Sequence, residues 1–177
     1  MPRVDVWLLM AGLCYKIGRY RAAVRAAEAA LRAADRPDDR IVALHTLADV
    51  AAATSDRALA RRYGPALRAC VGGSAGPYED ARALLSLAGL EAAMGDANAA
   101  EATLARGRDI AVRHKYHELE FRAEALRGRL GRDLAHGLPP RVAGDQTQEV
   151  RLSEQSLRIV QSLSEAEHFD AEVAVAG

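Results

Sequence analysis

The chain alternates apolar and polar stretches at helical spacing, with Gly or a polar turn falling between pairs of such stretches. Trp7, Ala11 and Cys14 recur at intervals of three and four, which predicts a helix from Val4 to Ile17 with one buried stripe. Gly18-Arg19 makes a tight turn. A second helix follows from Tyr20 to Ala34, with Ala23, Ala27 and Ala30 on its inner face, and it ends ahead of Asp35-Arg36-Pro37 because proline disfavours helix at the preceding residue. Asp38 or Asp39 is expected to cap a third helix, Arg40 to Ala53. Thr54-Ser55-Asp56 takes the turn, and the partner helix Arg57 to Cys70 carries Gly64-Pro65, where a kink or break is expected. After the Gly-rich stretch Val71 to Pro77, a third pair follows: Tyr78 to Met94, the turn Gly95-Asp96, and Ala97 to His114.

A seventh helix, His117 to Leu130, has an apolar stripe of Leu119, Ala123, Leu126 and Leu130 and is expected to cap the stack. The segment from Gly131 to Gly144, with Pro139-Pro140, reads as a linker. Asp145-Gln146-Thr147-Gln148 has the form of a capping box. It opens a last amphipathic helix to about His168, and a frayed tail follows. The expected organisation is a helical repeat domain over 1–132, a linker over 133–145, a C-terminal amphipathic helix over 146–169 and a tail over 170–177.

The turn positions Gly18, Ser55 and Gly95 lie 37 and 40 residues apart. A helix pair cannot bury its apolar stripe alone, whereas stacked pairs can. The expected fold class is therefore all-α: a right-handed superhelical α-solenoid of about three helix-turn-helix repeats plus a capping helix and a C-terminal helix. Trp7, Ala11, Gly18, Tyr20, Ala23, Ala30 and Leu31 in the first pair, and Leu84, Ala88, Gly95, Ala100 and Leu104 in the third, resemble the tetratricopeptide repeat. The middle pair matches at Ala48 and Ala60 and departs at Ser55 and Gly64-Pro65. Such degenerate Ala/Arg-rich repeats are similar to those of large bacterial regulators, including transcriptional activators and serine/threonine kinases.

The resemblance implies a concave face, lined by the first helix of each pair, that binds a peptide or a helix. Carried over, that face presents Asp5, Leu8, Gly12, Tyr15 and Lys16 from the first pair. The second adds Val42, His45, Asp49 and Ala52, and the third Arg82, Leu85, Gly89 and Ala92. The carboxylate clamp of some family members is not expected, because Leu8 and Gly12 stand at the matching first-pair positions. The C-terminal helix could occupy this groove in its own molecule or in a neighbour, as an intramolecular or homodimeric contact, or could simply extend the stack.

Composition narrows the classes. Half of the 177 residues are hydrophobic but only 5% are aromatic, so alanine-mediated helix contact is expected rather than a sheet. Formal net charge is zero, yet residues 1–70 carry 12 Lys/Arg against 7 Asp/Glu and residues 133–177 carry 3 against 8. That neutrality and scarcity of aromatics argue against direct nucleic-acid binding. The basic groups Arg57, Arg61, Arg62 and Arg68, and Arg122, Arg127, Arg129 and Arg132, are expected to be solvated helix faces. Cys14 and Cys70 lack metal or disulfide spacing and read as buried, reduced thiols. The apolar run Val6 to Cys14 is too short to span a bilayer and fits a core helix better than a signal sequence, so a cytoplasmic protein without membrane contact is expected.

No catalytic constellation assembles along the chain. His45 and Asp49 share a helix face but are too few for a catalytic metal site, and they read as polar points in a groove. His114 and His117 flank a helix junction and are expected to be solvated. Glu165-Ala166-Glu167-His168 has the Glu-x-x-His spacing of di-iron bundles without a second copy. Gly-x-Ser-x-Gly, Gly-x-Gly-x-x-Gly and phosphate-loop motifs are missing from the sequence. The expected function is non-enzymatic: a protein- or peptide-binding scaffold or regulatory domain without cofactor or metal. One alternative is a sensor or regulatory segment of a larger bacterial transcriptional regulator or kinase, and a more distant one is a helical-bundle metal enzyme.

Overall fold

A computed structural model of the chain describes residues 3–73 and 76–136, the last five of these in backbone only. The linker, C-terminal helix and tail expected over 137–177 lie outside the described residues. The described residues are all-helical, in seven helices: α1 Val4–Lys16, α2 Tyr20–Ala33, α3 Pro37–Thr54, α4 Arg57–Cys70, α5 Pro77–Ala93, α6 Ala97–His114 and α7 His117–His136.

Helices pair in chain order. α1 packs on α2, α3 on α4, and α5 on α6. The first members also touch one another in sequence: α1 on α3, α3 on α5, and α5 on α7. This adjacency explains the burial pattern. α3 has ten buried residues and α5 nine, whereas α1 has only Ala11 and Cys14. A helix covered on several sides must be apolar or small nearly all round, and the alanines of α3 and α5 meet that demand while letting backbones approach closely.

The turns show why these residues stand where they do. Gly18 and Gly95 adopt left-handed backbone, with φ of 74° and 87°, a region open to glycine at little cost. Ser55 takes the equivalent place with φ of 52°, so the middle turn is made despite its side chain. Asp56 then caps α4, its carboxylate accepting from the amides of Ala58 at 2.9 Å and Leu59 at 3.0 Å. Asp96 caps α6 through the Ala99 amide at 3.1 Å.

Three expected boundaries change. Pro37 does not simply end the preceding helix: it is the first residue of α3, with Asp38 and Asp39 inside the first turn and Arg36 at the cap position. Proline is pre-set for the first helical position, where no amide bond is required, and carboxylates there face the positive end of the helix dipole. α4 is continuous through Pro65. Gly64 sits so close to α5 that an added Cβ would lie 3.1 Å from Leu90 Cδ2, so close packing holds the helix where local sequence predicts a break. Finally, α7 runs beyond Leu130 and Gly131 to His136, into the stretch expected to be a linker.

Trp7 is half-buried against the main core, whose centre is Ile41, Leu44, Leu47, Leu67 and Leu87. A second core joins α5, α6 and α7 through Leu85, Leu104, Leu119 and Leu126. Cys14 is buried and Cys70 half-buried; neither forms a disulfide.

Candidate functional site: a groove lined by four helices

The ladder of first helices creates a groove of about 300 Å³ lined from α1, α3, α5 and α7. α1 supplies Gly12, Tyr15 and Lys16; α3 supplies His45, Thr46, Asp49, Ala52 and Ala53; α5 supplies Arg82, Leu85, Gly89, Ala92 and Ala93. Of the residues expected on this face, all but three therefore come together. Asp5 is exposed and pairs with Arg3 at 3.2 Å instead. Leu8 does not reach the groove, and Val42 packs against the main core.

Sequence reasoning missed Thr46, Ala53 and Ala93, which adjoin expected positions, and the whole of the α7 wall: Arg122, Leu126, Arg129 and Leu130. Arg122 is not a solvated charge. Its guanidinium lies 2.7 Å from Asp49 Oδ1 and donates to Ser86 Oγ at 3.0 Å. Side-chain exposures of 33% for Arg122 and 13% for Asp49 place this pair largely out of water, where charge-assisted hydrogen bonds are strongest. The pair ties α7 to α3, and the bond to Ser86 brings in α5. A signal was available: Arg122 and Arg129 are seven apart, with Leu126 between them, so they share a helix face.

Burial and charge tune the groove. Tyr15 is pushed up to about 12, first by burial and then by the Asp49 carboxylate beside it, so its phenol stays protonated. His45 is held well below the ordinary imidazole range, first by burial and then by the positive charges of Arg82 and Arg122, so its ring is neutral near pH 7. Both His45 ring nitrogens are buried and lack a hydrogen-bond partner among the described residues. His45 and Asp49 both line the groove as expected, without bonding each other: Asp49 bonds to Arg122. Among the described residues, no three His, Cys, Asp or Glu side chains gather as a metal site would require.

No protein-family model, curated protein or solved structure matches the chain significantly. The groove is therefore read from its own chemistry. Four cations, Lys16, Arg82, Arg122 and Arg129, share the groove with a single carboxylate, Asp49, and with the uncharged polar residues Tyr15, His45 and Thr46; the remaining lining is small or apolar. Arg82 approaches Glu79 only at 4.0 Å. Lys16 and Arg129 have no ion-pair partner among the described residues.

A larger cavity, of about 710 Å³, lies between α4 and α5 and is lined by Arg57, Arg61, Arg68, Leu90, Glu91 and Met94 among others. Its buried carboxylate, Glu91, is already bonded to Arg68 across the two helices. Here Gly64-Pro65 shapes a wall rather than a reactive site. His114 stacks on Tyr116, 5.5 Å between ring centroids, and His117 approaches Glu120 at 3.3 Å, so the two histidines of that junction are engaged separately. Among the described residues, no helix is long and apolar enough to cross a membrane.

Proposed function

We propose that this chain is a non-catalytic binding domain of the tetratricopeptide type, a helical solenoid whose groove over α1, α3, α5 and α7 receives a segment of a partner protein. The observation that carries this reading is the contribution of all four helices to one groove, in which core residues such as Leu85 and Leu126 form the floor and Tyr15, Lys16, Asp49, Arg82, Arg122 and Arg129 add polar groups. Gly12 and Gly89 support it. Both are helical, and a Cβ built on either meets nothing within 4 Å. Alanine would make a more stable helix there, whereas glycine leaves the backbone open to a close-lying ligand.

Site-specific photocrosslinking tests the reading. A photoreactive side chain at Gly12 faces the groove, and one at Leu9, which is 75% exposed and lies outside it, serves as control. The expected outcome is a discrete adduct from the Gly12 variant alone, suppressed by excess unmodified protein. Identical adducts from both positions, or none from Gly12, would remove the groove as the binding site.

A further inference from the structure

The groove contains a feature that a purely apolar partner segment leaves unexplained. His45 is 2% exposed and neither ring nitrogen has a hydrogen-bond partner among the described residues. Buried polar groups are nearly always satisfied, and an exception calls for a reason. The surroundings supply one. The groove that His45 lines also takes Tyr15 and Lys16 from α1, Arg82 from α5, and Arg122 and Arg129 from α7, with Asp49 one turn along its own helix; Arg82 and Arg122 are the charges that act on the ring. Asp49 is engaged by Arg122 and Arg82 approaches Glu79 at 4.0 Å, which leaves Lys16 and Arg129 without an ion-pair partner among the described residues. A neutral imidazole offers one N–H donor, and guanidinium groups offer planar forks that match carboxylate and phosphoryl oxygens. A volume of about 300 Å³ falls at the small end of ligand sites.

We propose that this groove binds a small free oxyanion, a molecule of few atoms bearing a carboxylate or phosphoryl group, held by Arg82 and Arg122, with Lys16 at the exposed edge and a ring N–H of His45 as the buried donor. The ring nitrogens are covered in the unliganded arrangement, so ligand entry requires a side-chain rotation. Arg82 and Arg122 are long side chains that line the same groove from the neighbouring helices α5 and α7, and their rotation is the required entry route. The anion then competes with Asp49 for Arg122, so binding at His45 alters the ion pair between Arg122 of α7 and Asp49 of α3. This inference rests on the groove being a ligand site and not on the ligand being a peptide.

The test is a titration of the full chain with inorganic phosphate and, separately, with succinate, at pH 7.5 and constant ionic strength, followed by the NMR resonances of the His45 ring. The expected result is a saturable shift with a Kd below about 1 mM for at least one of the two. Phosphate alone assigns a phosphoryl ligand, and succinate alone a carboxylate. Arg82→Gln should weaken binding by about tenfold, the loss expected for one charge-assisted hydrogen bond, and Arg82→Lys should recover part of it. Lys16→Gln, at an exposed position that cannot disturb the core, should weaken binding by a smaller factor. No saturable shift at concentrations of tens of millimolar, or unchanged affinity in the folded Arg82→Gln protein, overturns the proposal. If neither anion binds while the Gly12 crosslink to a partner persists, the peptide-binding reading stands without this one.

Discussion

At the residue scale, His45 links stability to pH. An unfolded histidine titrates near 6.5, whereas burial, Arg82 and Arg122 hold the folded ring well below that value. Between the two values the unfolded state binds the extra proton, so stability falls as pH drops below 6.5 and is unaffected by this group above it. Acidification from pH 6.5 to pH 5 should therefore lower stability through His45. Urea unfolding of the native chain and of His45→Asn at pH 7 and pH 5 checks this. The native chain should lose more on acidification, and equal losses would show that the ring does not resist protonation. Ser55 offers a second residue-scale test. A non-glycine residue in left-handed backbone costs about 1–2 kcal/mol, so Ser55→Gly should raise the midpoint of thermal unfolding. Asp56→Ala should lower it, since loss of a helix cap costs about 1 kcal/mol. His45 and Asp49 were legible in the sequence as neighbours on one face, because helical spacing alone puts them there. That Asp49 bonds to Arg122, 73 residues away, was not legible, since no local pattern encodes a contact between distant helices.

At the element scale, the glycines divide into two classes that a sequence cannot separate. Gly12 and Gly89 are helical with open space around the missing side chain. Gly107 is helical with Leu84 Cβ at 3.1 Å, Leu85 Cδ2 at 3.2 Å and the Ala81 carbonyl at 3.3 Å from where a Cβ would stand. Gly89→Ala should therefore stabilise the fold by about 0.5–1 kcal/mol through helix propensity. Gly107→Ala should destabilise it, because α6 would have to move off α5 in a packed core. Denaturation of the two variants side by side reads the opposite signs, and a shared sign would refute the packing argument. Element existence was accessible from the 3.6-residue period and the turn residues. The ends were less so: Pro37 opens α3, Pro65 lies inside α4, and α7 continues past Gly131, because the neighbours a helix packs against outweigh the preferences of single residues.

At the scale of the whole molecule, burial is concentrated in the middle of the ladder. α3 and α5 are covered by helices on more than one side, while α1 retains Val6 and Leu9 exposed and α7 retains Phe121 exposed. Local opening costs least where few apolar contacts must break. Native-state hydrogen exchange should therefore be slowest in α3 and α5 and fastest in α1 and α7. Uniform protection across the seven helices would contradict the nearest-neighbour architecture that the helix contacts describe.

By itself the sequence determined that the chain makes helices, where most of them turn, and which residues of α1, α3 and α5 share a face, because period, glycine and proline act through bonds between near neighbours. Tertiary structure alone decided that α7 forms a fourth wall, that Arg122 is paired rather than solvated, and that His45 lies buried under a positive field with its ring nitrogens unpartnered among the described residues. Those outcomes depend on which distant helices come within a few ångströms of one another, where desolvation and charge act through space.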